Sequence, residues 1–212
     1  LEFRRVLFRS PAGLSAAYYL ATMGYKPTVF EKNAKPGGML TYGIPSYKLE
    51  KDVIAAEIDV IEKLGAEIKC GVEVGKDITI EELKKQGYKA FYVAIGCQGG
   101  RRPGVENDKA NGTVTAVEYL KDSFENRSEF TGDVVVVGGG NVSVDCARNA
   151  HRLGAKSVSM VSLEQRDEMP ASKEEIRETL EENIEVLNGW GPKEIVKDEN
   201  GKWVPVPLGM TE

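Results

Sequence analysis

The chain has 212 residues, with 28 Lys and Arg against 33 Asp and Glu and a formal net charge of −5, long enough for one or two small domains with cores of their own. The acidic balance argues against nucleic acid or an anionic membrane as partner. With no apolar run near ~18 residues and no visible signal peptide, a soluble cytoplasmic protein is expected.

Residues Leu1–Ser10 read, codon by codon, as the translation of a common sequencing-library adapter, and are expected to be a non-native scar set aside in fold reasoning. The competing reading is a divergent native strand over Val6-Leu7-Phe8. Pro11-Ala12-Gly13-Leu14 then opens a helix through Ala17, Tyr18 and Ala21 that stops at Gly24, and the strand Thr28-Val29-Phe30 delivers Glu31. Gly13 holds the third position of a dinucleotide fingerprint, and Glu31 follows where an acid can bind ribose hydroxyls. Phe8 and Ser10 stand at the first two glycine positions, and a side chain at Ser10 would hold the backbone away from a pyrophosphate.

The stretch Lys35 to Pro45 is dense in glycine and proline yet carries large apolar residues. It reads either as a wall for a flat ring system or as a buried connector. A helix over Val53, Ile54, Ile58, Ile61 and Leu64 ends at Gly65, before a strand over residues 66–70. Thr79 with Glu82 forms a capping box for a short helix ending near Gly87. A strand over residues 90–95 ends in Gly96, and small residues at the carboxyl end of a parallel strand are where cofactors approach. From about Gly99 to Gly132, three glycine-containing turns and one amphipathic segment, Val117 to Phe124, read as a connection between domains.

The fingerprint then recurs intact: the apolar run Val134 to Val137, the turn Gly138-Gly139-Gly140, and a helix opening Asn141-Val142-Ser143. Gly138 permits a tight turn, Gly140 a close approach of backbone to pyrophosphate, and Ser143 is small where the helix meets the sheet. The helix N-terminus offers N–H groups to phosphate oxygens. Its apolar face reads Val142, Cys146, Ala150 and Leu153, and Gly154 ends it before a strand over residues 157–161. Gly13 to Gly24 and Ser143 to Gly154 have the same spacing, so the two copies carry helices of one length. A lone glycine turn is weak evidence; two with matched helices imply two dinucleotide sites.

His151 reads as a helix-surface residue. Cys70, Cys97 and Cys146 lie scattered, so neither a disulfide framework, a zinc site nor an iron–sulfur cluster is read from them, and each is expected to be small and buried. The missing Cys-x-x-Cys also weighs against a thioredoxin-reductase type of flavoenzyme. Ser172 with Glu175 caps a further helix with the stripe Ile176, Leu180 and Ile184, and Glu181-Glu182 is expected on its solvated face. Ile195-Val196 and Trp203-Val204 flank Asn200-Gly201 as a hairpin. An open doubly wound domain needs more strands than these, so the chain reads as a fragment at both ends.

Together these motifs resemble the flavin- and pyridine-nucleotide-binding oxidoreductases typified by the small chain of glutamate synthase. Relatives include NADPH-dependent ferredoxin oxidoreductase subunits and the flavin half of dihydropyrimidine dehydrogenase. The resemblance rests on residues 11–14, Val29-Phe30-Glu31-Lys32, Gly37-Gly38-Met39-Leu40, Tyr42-Gly43-Ile44-Pro45, Lys48-Leu49, Val74-Gly75-Lys76-Asp77, Ala94-Ile95-Gly96, residues 138–145 and Glu168-Met169-Pro170-Ala171. The Tyr-Gly-Ile-Pro block is far more specific than any glycine turn.

The resemblance implies an α/β, two-dinucleotide-binding-domain flavoprotein fold with Rossmann-like parallel sheets, both domains incomplete. Residues 11–128 would form the FAD-binding domain, with a linker from about 99, and residues 129–212 the NAD(P)-binding domain. By position it puts Gly13, Leu14, Glu31, Lys32, Gly38, Leu40, Val74, Ala94 and Gly96 around FAD, and Gly138, Gly139, Gly140, Asn141, Val142 and Ser143 around NAD(P)H. It implies hydride transfer from a nicotinamide stacked on the flavin, with the cofactors carrying the chemistry. No side-chain catalyst and no metal site are expected. Electrons would go on to an iron–sulfur centre or partner subunit outside these residues. The cysteine-rich amino-terminal domain of many relatives, and the later Gly-Asp turn that helps hold FAD, are not among them.

NADPH-using relatives place adjacent arginines where this chain has Ser162-Leu163-Glu164. An acid there favours the free 2′-hydroxyl of NADH; Arg166, two residues on, could instead meet a 2′-phosphate; or Glu164 is plain solvent-facing loop. The alternative function is a nucleotide-binding module without turnover, in which only the second site works. Methyl transfer on a Rossmann fold fits the two-site layout poorly.

Overall fold

In the computed structural model the described residues are 4–8, 11–126 and 132–201, and they divide into two compact units at Gln98/Gly99. The first unit holds a four-stranded sheet and the second a three-stranded one, all strands parallel.

The first sheet begins with β1 (Arg4–Phe8), so the strand reading of Val6-Leu7-Phe8 describes the structure whatever the origin of those residues. β1 lies between the parallel strands over residues 26–31 and 88–92, held by the main-chain ladder that any extended segment can make. The helix α1 (Pro11–Thr22) buries Gly13, Leu14, Ala17 and Ala21, whereas Tyr18, expected on that face, is exposed. Next, β2 (Lys26–Glu31) is buried on both faces. Val29 joins Leu14, Ala17, Ile54, Ile58 and Ile61 on one side, and Phe30 joins Leu83 and Tyr88 on the other, as strand alternation requires.

After the short α2 (Met39–Tyr42), α3 (Lys51–Lys63) buries Ile54, Ile58 and Ile61 but leaves the expected Val53 and Leu64 exposed. Then β3 (Glu67–Cys70) leads to α4 (Ile80–Lys85), whose Thr79–Glu82 capping box forms as expected. The last strand of the unit is β4 (Tyr88–Tyr92), shorter than the expected 90–95 because its ladder with β1 ends at the Leu7–Tyr92 pair.

The segment from Gly99 onward groups with the second unit rather than forming a linker attached to the first. The physical reason is α5 (Ala116–Asn126): its Tyr119 and Leu120 are buried in one cluster with Val144, Cys146, Ala147 and Ala150. A second capping box, Thr115 with Glu118, starts this helix.

The second sheet runs β5 (Asp133–Val137), β6 (Ser157–Ser162) and β7 (Glu185–Asn188) in chain order. Between the first two strands, α6 (Asn141–Arg152) buries Val144, Cys146, Ala147, Arg148 and Ala150. The expected face is corrected: Val142 is exposed and Val144 takes its place, because α6 is packed by the sheet, α5 and α7 rather than by one surface. The last helix, α7 (Lys173–Glu181), has Ser172 as its cap. Ile184 lies beyond its end: Asn183 turns the chain at φ 58 and passes Ile184, 2% exposed, into the core before β7. The Asn200-Gly201 turn is present, with Gly201 N–H donating to Asp198 O. Its proposed strand partner Trp203-Val204 lies outside the described residues, and Ile195 N–H instead donates to Glu106 O.

Cys70 and Cys97 are exposed, correcting their expected burial; Cys146 is buried, which pushes its thiol up to about 12. Among the described residues no helix is long and apolar enough to cross a membrane.

Candidate functional site

The intact glycine turn sits at the carboxyl edge of the second sheet. Gly138 leaves β5 at φ 138, and its N–H donates to Val161 O at 2.8 Å, closing the ladder. A Cβ on Gly138 would lie 2.5 Å from Ser143 Oγ, which explains why a small residue stands there. A Cβ on Gly139 would lie 2.4 Å from Ser162 Oγ and 2.9 Å from Glu164 Oε2, so the turn rests on the end of β6. Above Gly140, which caps α6, nothing lies within 4 Å. An open glycine followed by the first amides of a twelve-residue helix is a surface suited to a diphosphate.

Asn141 and Val142 are exposed at the start of this helix, beside half-buried Ser143. A strap that sequence reasoning missed braces the turn: Ala171 N–H donates to Gly139 O at 2.9 Å, and Ser172 N–H donates to Asn141 Oδ1 at 2.8 Å. The Met-Pro-Ala block was legible as a motif, but not its bond to the turn. Behind it, buried Arg148 of α6 pairs with Glu178, Glu182 and Glu175 of the α7 segment, and Arg152 joins at Glu182. Glu182 is therefore an ion-paired residue and not the solvated face expected of it.

Glu164 follows β6 beside the turn. Its Oε2 accepts from the Ser162 hydroxyl at 2.6 Å, the leading cause holding its carboxyl below the ordinary range. Arg166 is exposed on the 3-10 turn Arg166–Glu168.

In the first unit the expected residues end or follow the strands and open the helices. Gly13 and Leu14 are buried in the first turn of α1, which follows β1. Glu31, at the end of β2, is 1% exposed and its Oε1 accepts Asn33 N–H at 2.8 Å. Lys32 is exposed and 3.8 Å from Glu73. Gly38, at φ 56 and ψ −128, starts α2 in a conformation open to glycine. Leu40 packs its side chain on the core of α1 and α3. Val74, after β3, packs toward Phe30, Leu83 and Tyr88. Ala94, buried, and Gly96, at φ 67, follow β4. The loop carrying Gly38 and Leu40 is stapled: Tyr42 OH accepts Lys35 N–H at 2.8 Å, Thr41 donates to Pro36 O at 2.7 Å, and Lys51 Nζ donates to the carbonyls of Leu40 and Ile44. Burial lowers the Lys51 pKa.

Two surface hollows lie elsewhere, one of about 420 Å³ between α1 and β4 and one of about 500 Å³ lined by residues 107–111, Lys197 and Gly201. Neither is lined by residues 138–143. No cluster able to hold a metal ion occurs among the described residues.

The chain is 43% identical over 183 residues to the NADP(+)-dependent formate dehydrogenase subunit beta of Moorella thermoacetica, covering 84% of this chain and 26% of that one. It is 33% identical over 219 residues to the glutamate synthase [NADPH] small chain of Escherichia coli, covering 98% and 46% respectively. The chain thus spans less than half the length of these curated relatives. Among solved structures it is similar in fold to Mycobacterium tuberculosis FprA in complex with NADPH, at a TM-score of 0.71 and 19% identity over 85% of this chain and 48% of that one. The T. acidophilum thioredoxin reductase matches at a TM-score of 0.70 and 19% identity, over 95% and 68%. A family model described as pyridine nucleotide-disulphide oxidoreductase matches residues 9–207, and with two separate parallel sheets in the fold the chain belongs to that oxidoreductase family.

Proposed function

We propose that these residues are the central part of an FAD-dependent NAD(P)H oxidoreductase, with FAD on the first unit and the pyridine nucleotide on the second. The observation that carries this reading is the open backbone at Gly140, braced from behind by Ala171 and Ser172, at the head of α6. The donor set fits the nucleotide: a helix N-terminus for the diphosphate and an acid at Glu164 for a ribose. When bound, the two cofactors supply hydride transfer.

What the chain contributes is binding and orientation. Gly138 and Gly140 bring main-chain amides to the diphosphate, with Gly139, Asn141, Val142 and Ser143 completing the turn. Gly13 and Leu14 set the head of α1, and Glu31 is held by Asn33 for a ribose of FAD. Gly38, Leu40, Val74, Ala94 and Gly96 line the remaining edge, with Lys32 as its exposed cation. No side chain is assigned an acid–base role. Electrons leave to an iron–sulfur centre or partner subunit outside these residues; the Moorella relative is itself named a subunit and the E. coli one a small chain.

Anaerobic titration of the FAD-reconstituted protein with NADH and NADPH tests the reading. Bound-flavin absorbance that bleaches on titration is the expected result. Nucleotide binding without flavin retention would replace it with the non-catalytic module, and binding of neither cofactor would overturn both.

A further inference from the structure

Resting on the pyridine-nucleotide reading of the second unit, we propose that the Ser162–Glu164 pair makes this site selective for NADH over NADPH. Glu164 is anchored on both its side chain and its main chain. Its carboxylate accepts from the hydroxyl of Ser162, a fully buried residue at the end of β6, at 2.6 Å. Its carbonyl accepts from Gly189 N–H at 3.3 Å and from Asn188 Nδ2 at 3.2 Å, both just past or within the end of β7. Trp190 N–H donates in turn to Ser162 O at 3.0 Å, so the chain after β7 clasps the whole Ser162–Glu164 turn. A solvent-facing loop acid would have no such framework.

The placement is equally specific. Glu164 Oε2 lies 2.9 Å from where a Cβ of Gly139 would stand, so the carboxylate abuts the middle of the glycine turn. A ribose reaching from a diphosphate on that turn meets an acceptor pair suited to vicinal hydroxyls. A 2′-phosphate would meet a like charge, which is strongly unfavourable at close range. Ser162 lowers the pKa of that carboxyl by hydrogen bonding to its charged form. Arg166, the one cation close in sequence that could reverse the preference, sits exposed on the next turn beside exposed Asp167 and Glu168.

Calorimetric titration of the purified protein with NADH and with NADPH tests the proposal without relying on turnover. The expected result is NADH binding about tenfold or more tighter than NADPH. Glu164→Gln should collapse that ratio by raising NADPH affinity, and Ser162→Ala should reduce it partway while circular dichroism reports an unchanged fold. Equal affinities in the wild type, tighter NADPH binding, or a ratio untouched by Glu164→Gln would overturn the selectivity and leave the dinucleotide site standing. Binding of neither nucleotide by folded protein would overturn the site itself.

Discussion

The main-chain amide of Ser172 donates to the side-chain oxygen of Asn141 at 2.8 Å, tying the cap of α7 to the first residue of α6. The glycine turn is thereby held between two helix starts, and Asn141 acts on it as a positioning residue. Asn141→Ala is expected to lower stability by about 0.5–1 kcal/mol, the net value of one partly exposed hydrogen bond. Asn141→Asp keeps the acceptor, so it should preserve stability; on the proposed function it should weaken nucleotide binding through an added negative charge beside the proposed diphosphate site. Urea unfolding and nucleotide titration on the two variants separate these effects.

Gly140 and Gly139 are expected to answer differently to the same added methyl group. At Gly140 the backbone is extended and the space open, so Gly140→Ala should cost no more than about 1 kcal/mol, the difference between a glycine and an alanine N-cap. On the proposed function it should nevertheless abolish dinucleotide binding, because the added methyl would occupy the space proposed for the diphosphate. Gly139→Ala drives a methyl into Ser162 and Glu164, and should cost about 1–3 kcal/mol of stability as an overpacked contact. Thermal melts with and without nucleotide distinguish a binding defect from a folding defect.

Stability is expected to fall at acid pH through the α6–α7 ion cluster. Burial by itself would raise the Glu182 carboxyl, but hydrogen bonds from Arg152 and Arg148 and their charges outweigh it and hold the folded pKa below 4.5. A carboxylate depressed in this way contributes its full stabilisation above its unfolded value and loses it as pH falls through the folded one. Denaturant midpoints should therefore drop on acidification below about pH 4.5, and less steeply in Arg148→Met. Arg148→Ala removes the cation shared by Glu175, Glu178 and Glu182 while Arg152 still pairs with Glu182, and should cost about 1–3 kcal/mol.

Lys51 ties the start of α3 to the loop that carries Gly38 and Leu40 through the carbonyls of Leu40 and Ile44. Lys51→Met keeps much of the stem packing and removes both bonds. Amides of residues 38–45 should exchange with solvent at least several-fold faster, with little change across the second unit. On the proposed function, the same variant should retain less FAD on gel filtration than the wild type.

Local and short-range features are legible in the sequence alone. The turn at Gly138–Gly140, the helix caps at Thr79 and Ser172, and the stops at Gly24, Gly65 and Gly154 each depend on a few adjacent residues whose backbone needs are written in their type. Helix faces were read less well: Tyr18, Val53 and Val142 are apolar yet exposed, while Arg148 is polar yet buried. Hydrophobic periodicity describes a helix against one surface, and α6 is packed on several.

What amino-acid order by itself determined is one intact and one partial glycine fingerprint at the sheet edges and the matched helices that follow them, because these depend on backbone freedom and helix termini. Only the tertiary structure decided which distant residues finish that edge. Ser162, Asn188 and Gly189 meet around Glu164 because β6 and β7 lie side by side. Ala171 and Ser172 reach the turn where Ala171 is buried with Val144 and Ala147 and Arg148 ion-pairs α6 to α7. Such contacts join residues far apart in the chain, so no local propensity encodes them; they arise when burial and ion pairing bring the elements together.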